Sequence, residues 1–244
     1  MRNVKIIIEY EGTNYLGWQK QAEGPTIQET IENALENITG ENIFLFGSGR
    51  TDSGVHALGQ VANFKTHSNI KPAKFQMGLN SILPKDITII DAQDVDSDFH
   101  AQFSAKSKTY VYKIFNSPHP SALMRKVSWF IPQTLDISQM QKSAEYLLGK
   151  HDFKAFALSS TEVKTTVRTV LKADIEPNYN MIIFCIEATG FLKRMVRLIV
   201  GTLVQVGKGR ITPADFADIL QSGEKTKFVY AAPPHGLYLK EVKY

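Results

Sequence analysis

The chain has one cysteine, Cys185, among 244 residues. A disulfide needs two thiols, so no internal covalent staple is available, and a thiolate metal cluster is excluded with it. Long apolar runs are missing too: no uninterrupted stretch approaches the roughly 20 residues needed to span a bilayer. The first ten residues, MRNVKIIIEY, interrupt their apolar stretch with charges and carry no small-residue cleavage site. The expectation is a soluble, cytoplasmic protein with no membrane partner. The six histidines include no paired ligand spacing, which argues against a zinc enzyme. Neither GxGxxG nor P-loop spacing occurs, which argues against a phosphate-binding hydrolase built on the glycines. The aromatic signature of an RRM is also absent.

What is present is ordinary globular material, 43% hydrophobic and 21% charged, long enough for one large core or two modest ones. Lys and Arg number 28 against 24 Asp and Glu, a formal net charge of +4, and the pI is near 9.0. Such a balance permits a polyanionic partner without demanding one.

Hydrophobic periodicity divides the chain into two similar halves. In the first, Val4–Tyr10 reads as a strand, and Thr26 opens a helix whose apolar positions Ile27, Ile31, Leu35 and Ile38 share one face until Gly40. Ile43–Phe46 and Gln60–Lys65 read as strands, Pro72 starts a second helix that Pro84 ends, and Ile87–Ala92 closes the half. This strand, helix, strand, strand, helix, strand order is the ferredoxin-like split βαβ pattern. The second half repeats it. Lys108–Phe115 is a strand; a helix capped by Asp136 carries Met140, Ala144, Leu147 and Leu148 up to Gly149. Val163–Ile175 and Met181–Ala188 alternate as strands, and the segment FLKRMVR from Phe191 opens a long helix. A short helix from Thr212 and a last strand from Leu237 to Tyr244 complete it. The expectation is an α+β protein of two ferredoxin-like halves, 1–105 and 106–244, with antiparallel sheets whose open faces meet in a central cleft.

Three segments carry candidate chemistry. The loop GSGRTDSGVHA, Gly47–Ala57, holds Arg50 and Asp52 two residues apart among glycines that permit tight turns. A carboxylate works as nucleophile or general base only when ionised and positioned, and a glycine-rich turn between two strands is a means of aiming one. The strand KTYVYKIF places Tyr110 and Tyr112 on one face, a pair that serves equally as core tyrosines. FLKRMVR presents Lys193, Arg194 and Arg197 within about two helical turns, which also describes a solvated basic face.

Five segments together, YLGWQ from Tyr15, GRTDSGVHA from Gly49, DFHAQFSAKSKTYVY from Asp98, FLKRMVRLIVG from Phe191 and GLYL from Gly236, resemble the tRNA pseudouridine synthase A family in the same order along nearly the whole chain. The resemblance implies isomerisation of uridine to pseudouridine at tRNA positions 38, 39 and 40 in the anticodon arm, by a homodimer, with no cofactor and no metal. It places Asp52 on the catalytic aspartate, Arg50 on an arginine near it, and Tyr110 on the tyrosine that stacks against the target base. Arg197 falls on the arginine that pairs with the catalytic carboxylate, and Leu237 on an apolar residue lining the uracil pocket. Lys20, Lys65, Lys106, Lys108, Arg168, Lys193, Arg194, Lys208 and Arg210 are candidates for phosphate contacts as a group. Gln102 stands where relatives often have arginine. A noncatalytic RNA-binding module on the same fold is the competing reading.

Overall fold

Val4, Ile6, Ile7 and Ile8 are β-branched, and Arg2–Tyr10 forms strand β1, as the fit of such side chains to a pleated surface favours. The computed structural model describes residues 1–158 and 163–244, which divide into two units, Met1–Lys106 with Tyr238–Tyr244 and Ser107–Leu237.

In the first unit β1 is followed by α1 (Ile27–Thr39), β2 (Phe46–Gly47), β3 (His56–Thr66), α2 (Pro72–Ile82) and β4 (Ile87–Val95). The strands run β4-β1-β3, antiparallel throughout, with β2 on the free edge of β3. That is the split βαβ order. The C-terminal strand β10 (Leu237–Lys243) also reaches β3, in parallel, where Tyr238 pairs with His56 and Leu239 with Ala57. By its contacts the segment Tyr238–Tyr244 therefore groups with the first unit, although it closes the chain.

Alternation decides which face of this sheet is dry. Val4, Ile6, Ile8, Ala62 and Phe64 are fully buried, and Phe64 meets Phe75 of α2 edge-on at 5.4 Å. Ile27, Ile31 and Leu35 of α1 complete that core. Thr26 caps α1 by accepting from the Glu29 amide, and Gly40 ends it in the left-handed region at φ 71°. The opposite face carries Asn3, Lys5, Asn63 and Lys65, and the segment after β4 is fastened across it. Asn3 Nδ2 donates to the carbonyls of Asp96 and Phe99, Asn63 Oδ1 accepts from Ala101 N at 2.8 Å, and Tyr244 donates to Ala101 O.

The strand expected over Ile43–Phe46 is confined to Phe46–Gly47. Helix α1 explains why: Leu45 N donates to Glu32 Oε1 at 3.0 Å and Leu45 O accepts from Gln28 Nε2 at 3.2 Å. Side chains satisfy the backbone there in place of a ladder.

The second unit contains β5 (Ser107–Asn116), β6 (Trp129–Ile131), α3 (Ile137–Glu145), β7 (Gly149–Asp152), β8 (Val167–Asn178), β9 (Met181–Ala188), α4 (Met195–Gly207) and α5 (Pro213–Ser222). Its sheet runs β5-β9-β8-β7, antiparallel, with β6 parallel to β5. Strands β6 and β7 are additions to the repeat that the sequence pattern did not separate from loop. Helix α3 stops at Glu145, so Leu147 and Leu148 lie beyond it, and Gly149 at φ 95° starts β7. A second difference concerns the basic segment. Helix α4 begins at Met195, so Phe191–Arg194 precede it, and Arg194 occupies the N-cap in a left-handed conformation, φ 62°. All of α4 except Arg197 is buried, consistent with its apolar composition on every side.

Candidate active site and basic surface

The loop bearing Asp52 leaves β2 and enters β3, and nearly every residue around the carboxylate is tied down. Ser48 N donates to Val61 O at 2.7 Å, and Ser48 Oγ lies 2.6 Å from Gln60 Oε1, which also accepts from Val61 N. Gln60 Nε2 donates to Gly49 O at 2.9 Å. Gln60 and Ser48 are fully buried, so this one amide serves three groups in a dry setting. Next along the chain, Thr51 Oγ1 is 2.8 Å from the Tyr10 hydroxyl, and Thr51 O accepts from Trp18 N. Burial drives the Tyr10 phenol far above its ordinary range, so it stays neutral.

Beyond Asp52 the chain turns sharply. Val55 N donates to Asp52 O at 3.1 Å, with Gly54 at φ 76°. Ser53 Oγ and Gly54 N both donate to Tyr15 O, and Tyr15 OH donates in turn to Asp86 Oδ1 at 2.6 Å. Of the loop's three glycines only Gly54 has positive φ. Gly47 is there for space, since a Cβ would fall 2.6 Å from the Trp18 ring. Gly17, at φ 98°, likewise lets Thr51 O approach to where a Cβ would sit 2.5 Å away. The segment from Gly12 to Trp18 thus lies in backbone contact with the loop, and Asp52 is left half-buried between fixed neighbours. Arg50, by contrast, is exposed and its Nε donates to Gln19 Oε1 at 3.0 Å. His56, where the motif enters β3, is buried, accepts the Gly12 amide on Nδ1, and stacks on Tyr238 at 4.7 Å. Burial and the Glu11 charge push the Tyr238 phenol up to about 12.

In the second unit, Tyr110 of β5 pairs in register with Ile186 and meets Phe191 edge-on at 4.9 Å. Tyr112, on the same face, is wholly buried and donates to Pro233 O at 2.8 Å, which makes it a core tyrosine. Arg197, in the first turn of α4, is fixed by the chain beside it: its Nε donates to Ala232 O at 2.7 Å and its carbonyl accepts from Ala232 N. The guanidinium lies close enough to His235 to help lower that imidazole's pKa, after burial as the larger cause. Leu237 is buried, and the preceding Gly236 packs where a Cβ would meet the Tyr112 ring at 2.6 Å.

The basic candidates differ among themselves. Lys20 pairs with Glu29 at 3.4 Å. Lys65, Lys106, Lys193 and Arg194 are exposed. Arg168 bonds the carbonyls of Thr165 and Val167, and burial lowers its pKa and that of Lys108, which shares a strand face with Tyr110. Lys208 is lowered by burial and then by Arg210, which donates to Gln205 Oε1. Among the described residues no three His, Cys, Asp or Glu side chains cluster as a metal site, and no helix is long and apolar enough to cross a membrane.

Sequence reasoning singled out Asp52 as a candidate but not the residues that fix its loop. Gln60 had one available signal, a buried-strand position occupied by an amide. Tyr15 and Trp18 lie in the YLGWQ segment, whose resemblance marked the stretch without saying that it packs on the Asp52 loop, and Tyr10 had no signal beyond its place in a strand.

Comparison with known proteins gives the chain its class. A family model described as tRNA pseudouridine synthase matches residues 6–104 and 143–244. Relatives named tRNA pseudouridine synthase A are 50% identical in Acetivibrio thermocellus, 49% in a Thermoanaerobacter species and 48% in Caldicellulosiruptor bescii, each over the full length of both chains. A solved Cbf5-Nop10-Gar1 complex aligns with 82% of this chain and 45% of that one at TM-score 0.37 and 15% identity, a likeness too slight to carry an argument. The chain belongs to the tRNA pseudouridine synthase family.

Proposed function

We propose that this protein isomerises uridine to pseudouridine at positions 38, 39 and 40 in the anticodon stem and loop of tRNA, with Asp52 as the nucleophile. The observation that carries the reading is a half-buried carboxylate in a loop whose other polar groups are anchored, in a chain alike to tRNA pseudouridine synthases over its whole length. Positioning of this kind is what covalent catalysis by a carboxylate requires.

The reaction breaks the bond from uracil N1 to ribose C1′, turns the base, joins C5 to the same carbon, and releases the C5 proton in exchange for one at N1. Nothing else is gained or lost, so no redox or group-carrier cofactor enters the balance. Asp52 attacks C1′ or stabilises charge on the sugar as a glycal forms. Tyr110 holds the detached ring by stacking, and Arg197 is the cation that pairs with the catalytic carboxylate. Leu237 contributes apolar lining, and Arg50, exposed in the same loop as the carboxylate, meets the RNA. A target within a stem must first leave its stack at a cost of a few kcal/mol, which cationic contacts to phosphate offset. The active form is a homodimer working in the cytoplasm.

Asp52→Asn tests the assignment. The amide keeps the shape and loses the charge, so the variant binds tRNA with near wild-type affinity and forms no pseudouridine. Substantial turnover by it removes Asp52 from the nucleophile's role.

A further inference from the structure

On the first unit, four rings stand in a row. Phe44 meets Phe46 edge-on at 4.8 Å, Phe46 meets the imidazole of His100 at 5.1 Å, and His100 meets Phe103 at 4.3 Å. The end members are exposed, Phe44 at 56% and Phe103 at 79%. Isolated exposed apolar side chains are normal on any protein, but two exposed rings joined through two half-buried ones into a contiguous row are not.

The row is also rigid. His100 Nδ1 accepts from the amides of Gln102 and Phe103, while its own amide and carbonyl bond Ser104 Oγ and Ser104 N. These bonds fix the imidazole's orientation and leave its second nitrogen as the N–H. The turn itself is riveted to the sheet by Asn63 and Tyr244 through Ala101. Phe46 is held by the β2–β3 ladder, opposite Asn63. Ring faces therefore need little further ordering on contact, which lowers the entropic cost of binding.

Cations border the row. Lys65 follows two residues after Asn63 on the same face of β3, Lys106 is exposed three residues beyond Phe103, and Lys5 lies 5.8 Å from the ring of Phe99, the residue before His100. Against them stand two carboxylates earlier in the segment, Asp96 and Asp98. Fixed rings flanked by lysines match one class of ligand above others, unpaired nucleotides, whose bases present π faces and whose phosphates present negative charge.

We propose that Phe44, Phe46, His100 and Phe103 form a stacking platform for unpaired bases of an RNA bound to this protein. The proposal deepens the RNA-modifying reading and rests on it for the identity of the polymer.

The test uses Phe44→Leu, Phe103→Leu and the double variant, which keep apolar bulk at exposed positions and remove the π faces. A single-stranded RNA heptamer containing 2-aminopurine is titrated with each protein, alongside a fully paired RNA of the same length. Wild type quenches the fluorescence of the heptamer; each substitution weakens its affinity about tenfold, the double variant abolishes the quenching, and the paired RNA binds all proteins alike. Equal quenching and affinity in the double variant overturn the platform. So does a loss of self-association in sedimentation with unchanged heptamer binding, which makes the row a contact between copies of the chain. Pseudouridine formation in tRNA is measured separately: its absence with ring-dependent quenching intact counts against the isomerase reading while supporting the platform.

Discussion

Replacing Gln60 by leucine is the sharpest mechanical perturbation of the candidate site that leaves every proposed catalytic residue in place. The side chain is fully buried, and its amide accepts from Ser48 Oγ at 2.6 Å and Val61 N at 3.1 Å while donating to Gly49 O at 2.9 Å. Leucine fills the same volume and serves none of the three. Each buried group that loses its partner costs about 1–3 kcal/mol, so the three together cost roughly 3–5 kcal/mol after local relaxation. At about 2–4 °C per kcal/mol for a chain of this size, the melting temperature falls by roughly 10 °C in differential scanning calorimetry. Catalysis suffers more than stability suggests. Gly49 is three residues from Asp52, and a displacement of about 1 Å at the carboxylate reduces turnover about 100-fold with tRNA affinity nearly unchanged. Ser48→Ala provides the internal control: alone it costs about 1 kcal/mol, and less than that in the Gln60→Leu background, because the bond the two side chains share is already gone. A Gln60→Leu variant that melts within about 2 °C of wild type and turns over normally refutes the claim that this amide holds the loop.

Three further expectations concern other parts of the molecule. Arg194→Gly relieves a left-handed conformation at φ 62°, so stability is unchanged or rises by up to about 1 kcal/mol, while the salt dependence of tRNA binding becomes shallower by about one ion. Burial holds His235 below 6.5, so the unfolded chain takes up a proton before the folded one as the pH falls. Its contribution is therefore complete above about 6.5 and lost progressively below, and His235→Gln shows a smaller drop in urea midpoint between neutral and mildly acidic pH than wild type. Asn80 bonds both backbone groups of Ile89, accepting at 2.7 Å and donating at 2.9 Å, on the edge strand β4. Asn80→Ala costs about 1 kcal/mol and bares that edge, so aggregation on mild heating, followed by light scattering, begins earlier.

The elements that sequence conveyed best were those with strong periodicity and punctuation. Helix α1 has both, with Thr26 and Gly40 as caps and an apolar face between them, and strand β9 alternates cleanly over Met181–Ala188. Where structure departed, tertiary satisfaction of the backbone was the cause. Leu45 finds Gln28 and Glu32 on α1 in place of a ladder partner, so a convincing apolar run forms only a two-residue strand. Arg194 turns left-handed before α4, so a basic motif that reads as helix is half loop. For the site, the motif around Asp52 was legible because it is local in sequence. Its supports were not, because Tyr10, the YLGWQ segment and Gln60 reach the loop from elsewhere in the chain, and nothing in their sequence shows that they meet it. The aromatic row has the same character: Phe44 and Phe46 meet His100 and Phe103 only through the fold.

The central claim is that the carboxylate in this clamped loop isomerises uridine in the anticodon arm. Mapping pseudouridine nucleotide by nucleotide in unmodified tRNA, after incubation with purified protein and no added metal or cofactor, tests it most directly. The account predicts new pseudouridine confined to positions 38, 39 and 40 with wild type and none with Asp52→Asn; pseudouridine elsewhere, or its formation by both proteins alike, contradicts it.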